Sequence, residues 1–293
     1  MTAVPEAAPR LRVWPGRPGA PLALAAAAFV ALFAQPALLL ARDWWNDSEA
    51  GHGLLLAPLA VWLAWRDRPS QPQTGNPRVG TSLLVAAVLL RYVAGLAAEL
   101  FTLRFSIVLA LAGLTVFWLG ERQLRRWWLP FALLTLSIPL PALVTNALTL
   151  PLQFKASALG AALLEWRHVP VRLAGNVIQL PGRQLFVTEA CSGIRSLVAL
   201  LSLGVLVGGL WLRTPIGRLG VLALAVPVAV VVNAVRVFLT GFLVYFLTPA
   251  MGEGFMHLTE GWLLFLVAFS VLAAGAWGIA VLERLIERSR HAL

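Results

Sequence analysis

The feature that most constrains this chain is a series of apolar runs. Several approach the roughly 20 residues that an α-helix needs to cross about 30 Å of hydrocarbon. In lipid every backbone amide must find an internal partner, so such runs fold as helices. They lack the two-residue alternation of an outer-membrane barrel. Only 12% of the 293 residues are charged and 59% are hydrophobic, with a mean hydropathy of +0.82. That is too little charge to cover a soluble domain. The sequence predicts an all-α polytopic membrane protein.

Eight spans can be laid out, at about 21–41, 53–65, 80–98, 104–119, 128–145, 192–212, 219–246 and 259–282. The second has only 13 residues, and the fifth carries Pro130, Pro139 and Pro141, so it should kink or end early. With the N-terminus inside, 14 of the 23 basic residues fall in cytoplasmic segments, among them Arg10, Arg66, Arg122, Arg213 and Arg288. Five fall outside: Arg42, Lys155, Arg167, Arg172 and Arg183. Arg91, Arg104, Arg195 and Arg236 lie within or at the edge of spans. This asymmetry predicts an even number of crossings with both termini cytoplasmic. The chain then divides into a cytoplasmic segment 1–20, a single membrane domain 21–285 and a cytoplasmic tail 286–293. No small-residue cleavage site follows the first apolar stretch, so 21–41 reads as a retained span.

The net charge of +10 raises the question of nucleic acid. Its distribution excludes that partner: Lys155 is the sole lysine, and the arginines cluster between apolar runs instead of forming a basic groove interleaved with aromatics. One cysteine rules out an internal disulfide and any CxxC motif. No metal constellation is visible, and no cofactor is expected.

The longest outer segment is 146–190. Its first half, Leu148–Trp166, is moderately amphipathic and reads as a helix lying on the interface. From Val171 to Val187 apolar and polar residues alternate, with Gly175-Asn176 and Pro181-Gly182 as turns, which predicts a small extracytoplasmic β element. That element leads into Glu189-Ala-Cys191 and the sixth span.

Cys191 thus stands where an exposed β element meets the start of a membrane helix. Unpaired N–H groups at a helix N-terminus stabilise a thiolate, and Arg195 follows one turn on. Lone cysteines also serve as small apolar packing residues, and location alone leaves both readings open. Arg236 lies inside the seventh span, where an arginine costs at least ~2.5 kcal/mol on insertion scales and should face a polar interior. Asn233 shares its helix face at i,i+3 spacing. A structural ion pair or a snorkelling side chain would explain Arg236 equally well. His257 enters the eighth span from the same outer side as Cys191, and a histidine can act as acid or base near neutral pH or simply be hydrogen-bonded. Arg236 sits ten residues, or ~15 Å, below the outer end of its span. It can approach Cys191 if the helix ends or bends near Thr240-Gly241, or if the site is recessed near the outer leaflet, the arrangement favoured here.

Together the segments Glu189-Ala-Cys-Ser-Gly-Ile-Arg195, Asn233-Ala-Val-Arg236 and His257-Leu-Thr-Glu-Gly261 resemble the signature blocks of the exosortase/archaeosortase family. Gly175-Asn-Val-Ile-Gln-Leu-Pro-Gly182 is similar to the stretch preceding the family's cysteine, and Asp47-Ser-Glu-Ala-Gly-His52-Gly53 to a weaker N-terminal block. The resemblance spans roughly 44–265. It implies a cysteine transpeptidase or peptidase, a hydrolase of the inner membrane with its active site facing outwards. Such enzymes process exported proteins carrying a C-terminal sorting signal: a Pro-Glu-Pro motif, a transmembrane helix and a basic tail. It also implies Cys191 as nucleophile, Arg236 as oxyanion stabiliser and His257 as general acid/base, with Asn233, Arg195 and Glu189 in support. Archaeal members tend to carry arginine at the position of His257, so the chain resembles the bacterial branch. The acceptor is not identified by the resemblance. A non-enzymatic transporter or flippase for polysaccharide or lipid is the rival, since it too would use a deep arginine in an apolar bundle. Neither GxSxG nor HExxH is present, which disfavours an intramembrane serine or metalloprotease.

Overall fold

The structure, a computed structural model, describes residues 20–47, 50–70, 74–187, 193–247 and 254–291, the side chains of 20–22, 254–260 and 291 excepted. Among them are the helices α1 (Ala20–Asn46), α2 (Gly53–Arg66), α3 (Pro77–Leu96), α4 (Leu100–Arg126), α5 (Trp128–Leu136), α6 (Ala142–Trp166), α7 (Ile194–Trp211), α8 (Pro215–Phe246) and α9 (Gly254–His291). Strands β1 (Arg172–Ala174), β2 (Val177–Leu180) and β3 (Arg183–Phe186) lie between α6 and α7. Seven helices among the described residues are long and apolar enough to cross a membrane, and α2 is a shorter apolar helix of 14 residues. The chain is an all-α polytopic membrane protein with a small sheet.

Two expectations change. The span at 128–145 does not form as one helix: α5 stops after 9 residues at Leu136, and α6 begins only after Pro141. Pro139 and Pro141 each disfavour helical geometry in the residue before them, so the break follows from the sequence. Leu148–Trp166 is not a separate interfacial helix but the greater part of α6, 25 residues of membrane-crossing length. Its polar face points into the protein, where Thr149, Gln153 and Ser157 are buried. Thr149 and Ser157 donate their hydroxyls to the carbonyls of Thr145 and Gln153 at 2.7 and 2.8 Å. Leu143, Leu150 and Leu159 face outwards. Polar-in, apolar-out is the amphipathicity of a span against lipid, whereas an interfacial helix floats with the opposite sense.

The first half packs around α4. An α3–α4 hairpin is drawn tight where a Cβ at Gly80 would stand 2.5 Å from Phe117 Cα. The buried Arg104 of α4 pairs with Asp43 of α1, giving that deep charge a partner. In the loop before α4, the Glu99 carboxylate accepts from the amides of Phe101 and Thr102 at 3.0 and 2.6 Å. Burial pushes its carboxyl up, but these hydrogen bonds and the Arg104 charge outweigh burial and hold it below the usual glutamate range.

In the second half α8 is central. On α6, Leu164 meets Gly241 and Gly160 meets Val237, so the two helices run in the same sense. α7 and α9 run antiparallel to α8: Gly208 lies beside Arg218, and Gly275 meets Leu224. The carboxylate of Glu283 ties the α7–α8 turn end of the bundle together. It accepts from the Arg213 amide at 3.0 Å and from the Thr214 amide and hydroxyl, clamping α9 to the α7–α8 turn.

The strands form an antiparallel meander, β1-β2-β3. Ala174 pairs with Val177 and Leu180 with Arg183 across the two predicted two-residue turns. Ile178 and Leu180 point inwards and join Leu164, Val237 and Val244 in one apolar cluster. Arg183 donates to the Val244 carbonyl at 2.6 Å, so the sheet is fastened over the last turns of α8.

Candidate active site

The relative lengths of α7 and α8 set the depth of the site. α7 has 18 residues and α8 has 32, and the two are joined by a tight turn. α7 therefore stops alongside the middle of α8. Gly193, which caps α7, lies against Asn233, and α8 continues from there to Phe246, about 20 Å further. Of the two arrangements open from the sequence, the bend near Thr240-Gly241 does not occur. α8 is helical through both residues, with the Thr240 hydroxyl donating to the Arg236 carbonyl at 3.0 Å. The start of α7 is instead sunk to the level of Asn233.

Gly193 meets two demands that only glycine satisfies together. Its φ of 79° lies in the left-handed region, and a Cβ there would stand 2.7 Å from Cγ and 2.9 Å from Nδ2 of Asn233. Its carbonyl accepts from the Leu197 amide at 2.8 Å and opens the helix. Asn233 is itself buried. Gly193→Ala should therefore displace Asn233 or unwind the start of α7, costing on the order of 1–3 kcal/mol. A thermal melt in detergent should show a drop of several degrees. An unchanged melting temperature would mean that this contact does not set the geometry.

Arg236 lies one turn beyond Asn233 and reaches towards α9. A Cβ at Gly261 would stand 3.3 Å from Arg236 Nη2 and 3.5 Å from Cζ, so the guanidinium occupies the notch that glycine leaves. Ser196 of α7 and Leu264 and Phe265 of α9 complete a narrow cleft around it. A second narrow cleft, on the α6 side of Asn233, is lined by Leu152, Ala156, Gly193 and Leu197. The structure thus brings residues of all three motif segments together: Gly193 from the first meets Asn233 of the second, and Arg236 of the second meets Gly261 of the third. A cation held at this level, beside the start of α7, favours negative charge, whether thiolate or oxyanion.

Arg195 is exposed on the first turn of α7. The backbone of His257 lies in α9, one turn before Gly261. Its side chain, and Glu189 and Cys191 entirely, lie outside the described residues. His52 lies near the end of α5: its Nε2 sits 3.0 Å from the Leu136 carbonyl, and Trp44 donates to the Ser137 carbonyl at 2.7 Å. Both satisfy carbonyls at the end of α5 that have no helical partner. The N-terminal block therefore buttresses the α5–α6 break. Gly193, Gly261 and Ser196 were not singled out by sequence reasoning. The available signal was a glycine beside each motif's polar residues, where a neighbouring side chain must come close.

Neither the curated proteins nor the solved structures supply a match. A family model described as transmembrane exosortase matches residues 44–274. That range contains all the segments that meet around Asn233 and Arg236, and the chain belongs to the transmembrane exosortase family.

Proposed function

We propose that this exosortase is a cysteine transpeptidase of the bacterial cytoplasmic membrane that cleaves Pro-Glu-Pro-type C-terminal signals of exported proteins. Both termini are cytoplasmic, residues 21–285 form one membrane domain, and the site opens to the extracytoplasmic side. The observation that carries the reading is the contact of Gly193, Asn233, Arg236 and Gly261 at one level of the bundle. Cys191 is two residues of chain from Gly193, at most about 7 Å between Cα atoms.

In this mechanism the Cys191 thiolate attacks the scissile carbonyl, and the new oxyanion is stabilised by Arg236. The C–N bond breaks as His257 protonates the leaving amine, giving a thioester. His257 then takes a proton from the acceptor amine or hydroxyl, whose attack on the thioester releases product and restores the Cys191 thiolate and the protonated His257. Asn233 holds the start of α7 beside Arg236, and Arg195 and Glu189 add charge near the nucleophile.

The test is a tagged exported substrate bearing the full signal, followed in cells. The wild type should shorten it at the C-terminus, and replacing Pro-Glu-Pro by three alanines should stop this. His257→Ala should lower processing by about 10²–10⁴. Processing that is indifferent to the motif would refute the substrate assignment, and full turnover by His257→Ala would remove His257 from the chemistry.

A further inference from the structure

An opening lies away from Arg236, in the first half. It is a cavity of about 410 Å³ between α2, α4 and α5, lined by residues such as Ala64, Leu114, Trp118, Trp127, Pro130 and Phe131. Its origin is the shortness of two helices. α2 and α5 are about 21 and 14 Å long, less than the hydrocarbon thickness, and the longer α4 beside them is left partly uncovered. The volume falls within the range of small-molecule pockets, about 300–1,000 Å³.

The lining is mostly apolar. The Thr115 hydroxyl donates to the Leu111 carbonyl at 2.8 Å, and the Trp127 indole donates to the Asp67 carbonyl at 3.3 Å. With those donors committed, the occupant must be apolar where it enters.

One end of the cavity has the opposite character. Arg126 directly precedes the lining residue Trp127, and Arg66 and Arg68 follow Ala64 within four; Arg122 stands just past Leu119, beyond the break in α4 at Gly120, whose φ is 80°. Arg122, Arg126 and Arg68 are exposed. Of the four arginines, among the described residues, a carboxylate pairs only with Arg66, that of Asp67; the neighbouring Glu121 lies 3.9 Å from Arg125. Arg68 lies over the Trp65 ring at 5.3 Å, and exposed Trp62 and Trp118 mark the interfacial level. An apolar slot bordered by guanidinium groups, of which Arg122 and Arg126 have no carboxylate partner among the described residues, matches a molecule with one acyl tail and a negative head.

We propose that this groove is a binding site for an anionic phospholipid, with an acyl chain between α2, α4 and α5 and the phosphate on Arg122 and Arg126. The cationic rim disfavours a helix followed by a basic tail, which sets the groove apart from the path of a sorting signal. Basic residues near a membrane surface contribute about 1 kcal/mol each towards anionic lipid, so removing two should weaken retention roughly 30-fold.

The experiment uses the full-length protein, delipidated in mild detergent and then offered phosphatidylglycerol or phosphatidylcholine, with bound lipid counted by native mass spectrometry. The wild type should retain phosphatidylglycerol in preference. Arg122→Gln/Arg126→Gln, at exposed positions that leave the core intact, should lose that preference. Ala64→Phe should block the slot and lower retention of either lipid. Equal retention of both lipids by the wild type, unchanged phosphatidylglycerol retention in the arginine variant, or full retention in Ala64→Phe would each overturn the proposal. So would cross-linking of a substrate's C-terminal helix from Ala64 in place of lipid.

Discussion

Cys191→Ala is expected to abolish C-terminal processing, with the intact precursor accumulating in the membrane. The chain contains no second thiol that could substitute. Alanine keeps the small apolar volume, so a cysteine that served only as packing would tolerate the change. Cys191→Ser separates the two roles further. It preserves shape, but its hydroxyl ionises far less readily than a thiol, and the thiolate is the nucleophile. Processing should fall to background in both variants while their melting temperatures stay within a few degrees of wild type. A Cys191→Ser enzyme with wild-type turnover would return the residue to the packing role that location alone left open.

Arg236→Gln is expected to lower turnover by about 10²–10³, the usual loss when one oxyanion donor is removed. The loss should appear in kcat with KM little changed, because the stabilised charge exists only in the transition state. Glutamine is shorter and neutral but still offers a hydrogen-bonding amide. Arg236→Lys should recover part of the rate but not all of it. A lysine keeps the charge and loses the planar fork that fits the Gly261 notch. If Arg236 were purely structural, Arg236→Gln would move the melting temperature and leave kcat alone. That outcome is read from the same two measurements.

Much of the fold was legible because lipid leaves the backbone few options. Most apolar runs became helices near the predicted positions, and the β meander formed on its two turns. Legibility failed where pattern and environment reverse meaning. Gln153, Ser157 and Thr149 lower the hydropathy of α6, and by the rules of a water-facing surface they signal an interfacial helix. In α6 they face the protein, and two of them close hydrogen bonds on their own backbone. The break at Pro139 and Pro141 was visible, but its result, a 9-residue α5 and a separate α6, depends on tertiary partners such as Trp44 and His52 capping the α5 carbonyls.

In the site, Asn233 and Arg236 stood out because polar groups deep in a span are costly. Their depth relative to Cys191 was not legible, because it is set by a difference between helices. α7 is much shorter than α8 from a shared turn, which lowers its start to Asn233. Gly193 and Gly261 were invisible as site residues for a related reason. What matters about them is the space they leave, and a sequence does not show who fills it.

The central claim is that Cys191 forms an acyl-enzyme beside Arg236, and one measurement reads it directly. The purified full-length enzyme is mixed with a substrate carrying the Pro-Glu-Pro signal, quenched in acid and analysed by intact and peptide mass spectrometry. The account requires a mass increase equal to the substrate fragment before the cleaved bond. That adduct should map to Cys191, be released by hydroxylamine as a thioester is, and be missing in Cys191→Ala. Cleavage without any adduct on Cys191, or continuing in the Cys191→Ala enzyme, would contradict it.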